Sequence, residues 1–88
     1  ISLNKIQEVQ PTIDIRGVNV QEGEDILNKY LDDVILCGLT RILVIHGKGT
    51  GALKKGIRNF LQTHSCVEKI EIAELNEGGD GATVVFMK

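Results

Sequence analysis

The sequence predicts an α/β domain with the element order strand, helix, strand, helix, strand, strand. Three observations point to it. Short apolar or alternating runs of strand length are separated by stretches of helical period, glycines stand at the joints, and the first long periodic stretch carries a helix-start signal and a helix-stop signal. Strands joined through helices are expected to run parallel with right-handed crossovers. The last strand follows a short glycine-rich connection and is expected to lie antiparallel beside the third, which makes the sheet mixed.

Residues 1 to 11 show no period and close with Pro11, so they read as an N-terminal arm or linker remnant, with the domain proper at 12 to 88. A chain that opens on Ile1 rather than Met suggests a piece of a longer protein. Thr12 to Arg16 alternates, with Ile13 and Ile15 facing one way and Thr12, Asp14 and Arg16 the other, which is a short first strand. Gly17 breaks it. Asn19 with Glu22 three residues later forms a capping-box pattern, and the helix it opens runs through Leu27, Tyr30, Leu31, Val34 and Ile35 to a left-handed cap at Gly38. Gly23 inside this helix costs about 1 kcal/mol relative to Ala, a cost tolerated where two backbones pack closely. The second strand is Arg41 to Ile45. The second helix starts at Gly51 or Ala52 and reaches about Thr63, with Leu53, Ile57, Phe60 and Leu61 on one stripe. Val67 to Glu74 alternates as a third strand, with Ile70 and Ile72 on one face and Lys69 and Glu71 on the other. Residues 76 to 81, NEGGDG, read as a flexible turn, and Ala82 to Met87 as the last strand.

A chain of 88 residues with 42% hydrophobic content supports a single domain. At this size it buries roughly 60 to 65% of its unfolded surface. No stretch approaches the ~18 apolar residues needed to cross a bilayer, and nothing resembles a secretion signal, so the expectation is a soluble cytoplasmic protein without a membrane partner. Cys37 and Cys66 lack CxxC spacing and read as reduced thiols. The net charge is -2, yet the charges are segregated. Glu22, Glu24, Asp25, Asp32 and Asp33 crowd the first helix, whereas Arg41, Lys48, Lys54, Lys55 and Arg58 fall in a stretch, residues 41 to 64, that holds no Asp or Glu. This asymmetry predicts an oriented electrostatic surface.

The loop between the second strand and second helix, HGKGTG at 46 to 51, carries most of the chemistry. Such a loop can point backbone N–H groups into one concavity where the helix dipole favours negative charge, so Gly47, Lys48, Gly49, Thr50 and Gly51 form a candidate phosphate cradle. Lys54, Lys55 and Arg58 would add positive charge beside it. A nucleotide cofactor is not expected: a P-loop needs Lys and Ser or Thr after its last glycine, where this chain has Ala52 and Leu53, and GxGxG is not the dinucleotide spacing. Glycines that merely form a tight turn are the plain alternative. If the first two strands are parallel neighbours, Asp14, Arg16, His46 and the loop converge at one sheet edge. His46 could then move a proton, Asp14 could orient it or hold a cation, and Arg16 and Lys48 could stabilise a charged phosphoryl oxygen. Each also has a structural reading, Asp14 with Arg16 as a surface ion pair and His46 as a strand-end histidine bonded to backbone.

Three blocks in this order, IDIRG at 13 to 17, IHGKGTGALKKGI at 45 to 57 and GGDGATVVFM at 78 to 87, closely resemble the Smr (small MutS-related) domain at the C-terminus of the second family of bacterial MutS paralogues. The resemblance covers nearly the whole chain from Thr12. It implies a two-layer α/β sandwich with two helices on a four-stranded mixed sheet, similar to the C-terminal domain of a translation initiation factor, and an endonuclease or nicking activity on DNA or RNA. The family's functional positions match as Asp14 and Arg16 in the first block and His46, Lys48 and Gly49 in the second. Gly23 departs from the helix-favouring small residue usual there.

Two functions follow from the residues and the resemblance together. One is an endonuclease with little sequence preference, since no base-reading helix is evident and Tyr30, Phe60 and Phe86 sit at positions expected to be buried. The other is a non-catalytic module that binds nucleic acid or a ribosomal RNA surface while an ATPase elsewhere in a MutS-like chain does the work, in recombination control or ribosome rescue. One Asp near a His is too small a set for a dedicated two-metal site. A divalent cation such as magnesium would touch Asp14 and be held otherwise by phosphate oxygens and water. RNA, with its own 2′-OH nucleophile, would need none.

Overall fold

The computed structural model of the protein describes residues 9–88, with β1 at Thr12–Asp14, α1 at Val20–Cys37, β2 at Arg41–Ile45, α2 at Ala52–Thr63, β3 at Val67–Ile72 and β4 at Ala82–Met87. The expected βαβαββ order holds. Asn19 caps α1 as foreseen: its side chain accepts from the Glu22 N–H at 2.8 Å while the Glu22 carboxylate accepts from the Asn19 N–H at 3.2 Å, and Gly38 closes the helix in the left-handed region.

The four strands form one mixed sheet in the order β1-β2-β4-β3. β1 runs parallel to β2, and β4 runs antiparallel to both β2 and β3. The crossover through α2 carries the chain two positions across the sheet, and β4 fills the gap it leaves. Alternation along the strands then sorts side chains by face. Ile15, Ile42, Val44 and Val85 join Leu27, Leu31, Val34, Ile57 and Leu61 in the core beneath the two helices, while Leu43, Ala73, Ala82 and Val84 form a smaller cluster. In register and parity those last residues occupy the opposite face, so the architecture is two-layered.

Several boundaries differ from expectation. β1 ends at Asp14 rather than Arg16, although the Ile15 N–H still donates to the Ile45 carbonyl at 2.8 Å, and β3 ends at Ile72 rather than Glu74. Of the apolar residues named along α1, Leu27, Leu31 and Val34 are buried against the sheet while Ile35 is 45% exposed. The end of the arm is part of the body: Val9 packs on the main core, the Gln10 carbonyl accepts from the Tyr30 hydroxyl, and the Pro11 carbonyl accepts from the Leu43 N–H at 2.8 Å. The rest of the expected arm, residues 1 to 8, lies outside the described residues. Residues 76 to 81 are not a flexible turn but parts of two successive 3-10 turns, Leu75–Glu77 and Gly79–Gly81, with Gly79 and Gly81 buried.

The two helices approach closely at a pair of glycines. A β-carbon on Gly23 would stand 2.9 Å from Ile57 Cδ1, and one on Gly56 would stand 2.8 and 3.0 Å from the two γ-carbons of Val20. Gly23 thus has the close-packing role its position suggested. Valine has little rotameric freedom in a helix, so Val20 cannot swing away from a new methyl. Gly56→Ala is expected to destabilise the domain despite the ~1 kcal/mol gain in helix propensity, since overpacking costs about 1 to 3 kcal/mol. A lower melting temperature checks it, and a higher one would show that the helices can move apart.

Candidate functional site

The carboxyl edge of β1 and β2, the glycine loop and the start of α2 meet at one end of the sheet. Gly47, Gly49 and Gly51 have φ of +80°, +40° and +89°, in the region that L side chains rarely adopt, so the alternating glycines are required by the path of the loop. Gly51 is the N-cap of α2 and supplies no side-chain acceptor, and the first turn of the helix holds no acidic residue. The Thr50 hydroxyl accepts from the Ala52 N–H at a long 3.4 Å. The helix therefore begins with its positive end only lightly compensated.

The third sequence block docks under this loop. The Gly81 carbonyl accepts from the N–H groups of both His46 and Gly47, at 3.0 and 2.8 Å. The turn at 79 to 81 thereby carries Asp80 to the cations of α2. Lys54 Nζ lies 2.6 Å from one Asp80 oxygen and Arg58 3.7 Å from the other. The hydrogen bond from Lys54, with the nearby charges of Lys54, Arg58 and Lys48, holds the Asp80 carboxyl below the usual carboxylate range. Asp80 was not among the residues singled out from the sequence. The signal for it was faint, a single acid among glycines, and only the docking of its turn gives it partners.

Of the basic residues expected to meet phosphate, Lys54 and Arg58 are thus already paired, and Arg41 is paired to Glu77 at 3.0 Å. Among the described residues, Lys48 and Lys55 enter no ion pair. Lys55 is exposed and lines a shallow concavity along α2 with Lys54, Arg58, Asn59 and Gln62. The Lys48 stem lies by Gly81.

Asp14 and Arg16 form a close ion pair at 2.6 Å, and Arg16 donates to both carboxylate oxygens. The hydrogen bond from Arg16 lowers the Asp14 pKa. The stem of Arg16 crosses Gly47, where a β-carbon would stand 3.4 Å from its Cγ. The pair therefore borders the loop, as the parallel pairing of β1 and β2 predicted.

His46 does not meet them as expected. Asp14 is in register with Ile45, so the pleat sends Asp14 to the open face and His46, one residue later, to the helix side. His46 is 4% exposed. Its Nδ1 lies 2.9 Å from the Gly47 carbonyl oxygen and its Nε2 2.8 Å from Thr83 Oγ1. The ring is oriented by Gly47 and Thr83 rather than by Asp14. Arg58 Nε–H donates to the same Thr83 oxygen at 2.8 Å, and Arg58 also donates to the Ala82 carbonyl at 3.3 Å. Because the Gly47 carbonyl only accepts, Nδ1 carries the proton. Nε2 then accepts from the Thr83 hydroxyl, whose oxygen accepts from Arg58. Burial lowers the His46 pKa, the Gly47 carbonyl opposes this, and Arg58 and Lys54 add to it.

A profile of the Smr domain matches residues 13–88. The chain belongs to the Smr domain family. It is 48% identical over 81 residues to a protein named endonuclease MutS2 from Finegoldia magna, covering 92% of this chain and 10% of that one. It is 46% identical over all 88 residues to the endonuclease MutS2 of Carboxydothermus hydrogenoformans, covering 11% of it. The chain thus spans about a tenth of the length of these relatives. Its fold superimposes on the crystal structure of the Smr domain of Thermus thermophilus MutS2 with a TM-score of 0.84 at 38% identity, covering 88% of this chain and 96% of that one. It also superimposes on YdaL, a stand-alone small MutS-related protein from Escherichia coli, with a TM-score of 0.83 over 98% of this chain and 73% of that one. At 21% identity this second likeness speaks for the fold alone.

No helix among the described residues is long and apolar enough to cross a membrane. Nor do three or more His, Cys, Asp or Glu side chains come together among them as metal ligands. Both Asp14 carboxylate oxygens accept from Arg16.

Proposed function

We propose that this Smr domain binds the sugar–phosphate backbone of DNA or RNA across the glycine loop and the first turns of α2. On this reading it cleaves phosphodiester bonds there with little sequence preference, as the nuclease portion of a longer, cytoplasmic MutS2-type chain. The observation that carries the reading is the Asp80 carboxylate held between Lys54 and Arg58, on a helix whose N-cap, Gly51, supplies no side-chain acceptor. A phosphodiester oxygen has the charge and acceptor chemistry to occupy the same place.

Gly47, Gly49, Thr50 and Gly51 shape the floor of this site, while Lys48, Lys54, Lys55 and Arg58 supply its charge. Arg16 and Lys48 border the loop from solvent and are the groups that would stabilise a developing phosphoryl charge. Asp14, ionised and tied to Arg16, positions that guanidinium rather than taking protons. His46 supports the loop from beneath. That the described acids and histidine of the site are all engaged, Asp14 by Arg16, Asp80 by Lys54 and His46 by Gly47 and Thr83, favours a second reading, a module that holds nucleic acid or ribosomal RNA while the rest of the chain acts on it.

Incubating the 88-residue chain with supercoiled plasmid and with single-stranded RNA, each in magnesium or in chelator, separates these readings. Nicking that needs magnesium supports a DNA enzyme whose cation arrives with the phosphates. RNA cleavage in chelator supports an RNA enzyme, binding without cleavage supports the module, and no binding to either sinks the proposal. Changing Lys48 and Lys55 together to Gln is expected to weaken binding to unrelated sequences about equally and to reduce the slope of log affinity against log salt by about 2 units on B-DNA. An unchanged slope would remove both residues from the interface.

A further inference from the structure

We infer that Thr83 is a positioning residue that couples α2 to the glycine loop, through the buried sequence of hydrogen bonds Arg58 to Thr83 to His46 to the Gly47 carbonyl. Thr83 was not singled out from the sequence, and its side chain is fully buried in a central strand. A threonine there can be replaced by valine in shape, so the hydroxyl is present for its bonds.

The directions are fixed by chemistry. Arg58 Nε–H can only donate, and the Gly47 carbonyl can only accept. Between them the Thr83 hydroxyl receives from Arg58 and gives to His46 Nε2, and His46 Nδ1–H gives to Gly47. Every polar atom in this part of the core is thereby satisfied, and among the described residues no buried side-chain nitrogen or oxygen lacks a partner. At one end the relay turns the Gly47 carbonyl inward, and since the Gly51 N–H is spent on the Lys48 carbonyl at 2.9 Å, the N–H groups of Lys48, Gly49 and Thr50 are the ones left for a ligand. At the other end it pins Arg58 by Nε and leaves the terminal nitrogens of the guanidinium toward Asp80 and the Ala82 carbonyl. The anion-facing side of Arg58 is therefore set by a hydroxyl that never touches the anion.

The functional consequence rests on the phosphate-binding reading above, whereas the relay itself rests on geometry alone. Two measurements keep them apart. In nitrogen-resolved NMR of the 88-residue chain, the wild type is expected to show a neutral His46 with its proton on Nδ1 and a slowly exchanging Arg58 Nε–H. Thr83→Val should make that Nε–H exchange freely, and Thr83→Ser should restore its protection. Should Thr83→Val fail to fold, Thr83→Ala removes the same hydroxyl. In binding to a single-stranded oligonucleotide, Thr83→Val should weaken affinity by about threefold to tenfold, Thr83→Ser should stay near wild type, and the losses from Thr83→Val and Arg58→Lys should fall short of adding, since both remove one contact. Protection of Arg58 Nε–H that survives Thr83→Val, or losses that add in full, would overturn the proposal. A wild-type chain that binds no oligonucleotide would refute the phosphate-binding reading and with it the affinity effect, while the NMR arm would still decide the relay.

Discussion

His46→Ala is expected to lower the stability of the domain by about 3 to 5 kcal/mol, which would leave a protein of ordinary stability marginal. The imidazole is almost completely buried and both ring nitrogens are bonded. Its removal strands the Gly47 carbonyl and the Thr83 hydroxyl and opens a cavity where the loop meets β4. Thermal unfolding measures the loss. An unchanged melting temperature with cleavage abolished would instead restore the proton-transfer role that the sequence allowed.

The same residue sets an acid-side pH dependence. Its pKa is lowered in the folded state, so below the ordinary imidazole value of about 6.5 the unfolded chain takes up a proton that the folded chain still refuses. Stability contributed by His46 is therefore complete above that pH and lost as pH falls through the folded pKa. The gap in melting temperature between wild type and His46→Ala should be widest near neutrality and should narrow on acidification. A gap that widens below pH 6 would mean the folded ring prefers to be charged.

Asp80→Asn is expected to tighten nucleic-acid binding by about tenfold at low salt. The carboxylate occupies the cations that an incoming phosphate needs, and it is itself a negative charge at the entrance. Removing it frees Lys54 and Arg58 and should steepen the salt dependence by about 1 unit, with the advantage fading as salt rises. Titration of one oligonucleotide into both proteins across a salt series provides the check. Weaker binding by Asp80→Asn would show that the carboxylate serves to hold the two cations in place for the ligand.

Much of the fold was legible because it is written in short-range terms. The Asn19 to Glu22 capping box, the Gly38 cap and the period of Leu53, Ile57 and Leu61 depend on residues three or four apart, and they placed both helices correctly. The parallel pairing of β1 with β2 followed from chain connectivity. The close approach foreseen at Gly23 followed from its cost, since a helix keeps such a residue where a neighbouring surface comes near.

Other features were decided by contacts between distant segments. That β4 lies between β2 and β3, and that Gly81 docks on His46 and Gly47, are properties of the assembled sheet. They turned an apparently flexible turn into the support of the loop and brought Asp80 to Lys54. The only trace of Thr83 in the sequence is one polar residue at a helix-facing position of an apolar strand, and its partners lie 25 and 37 residues away. Expecting Asp14 to orient His46 failed for a related reason. Sequence located both at one sheet edge, but strand register decides which face each side chain leaves, and a shift of a single residue exchanges the two faces. By itself the sequence determined the element order, the caps, the glycine loop and the charge placed beside it. Tertiary structure decided which charges remain available and which histidine nitrogen carries the proton, because both depend on hydrogen bonds made only when segments far apart in the chain are packed together.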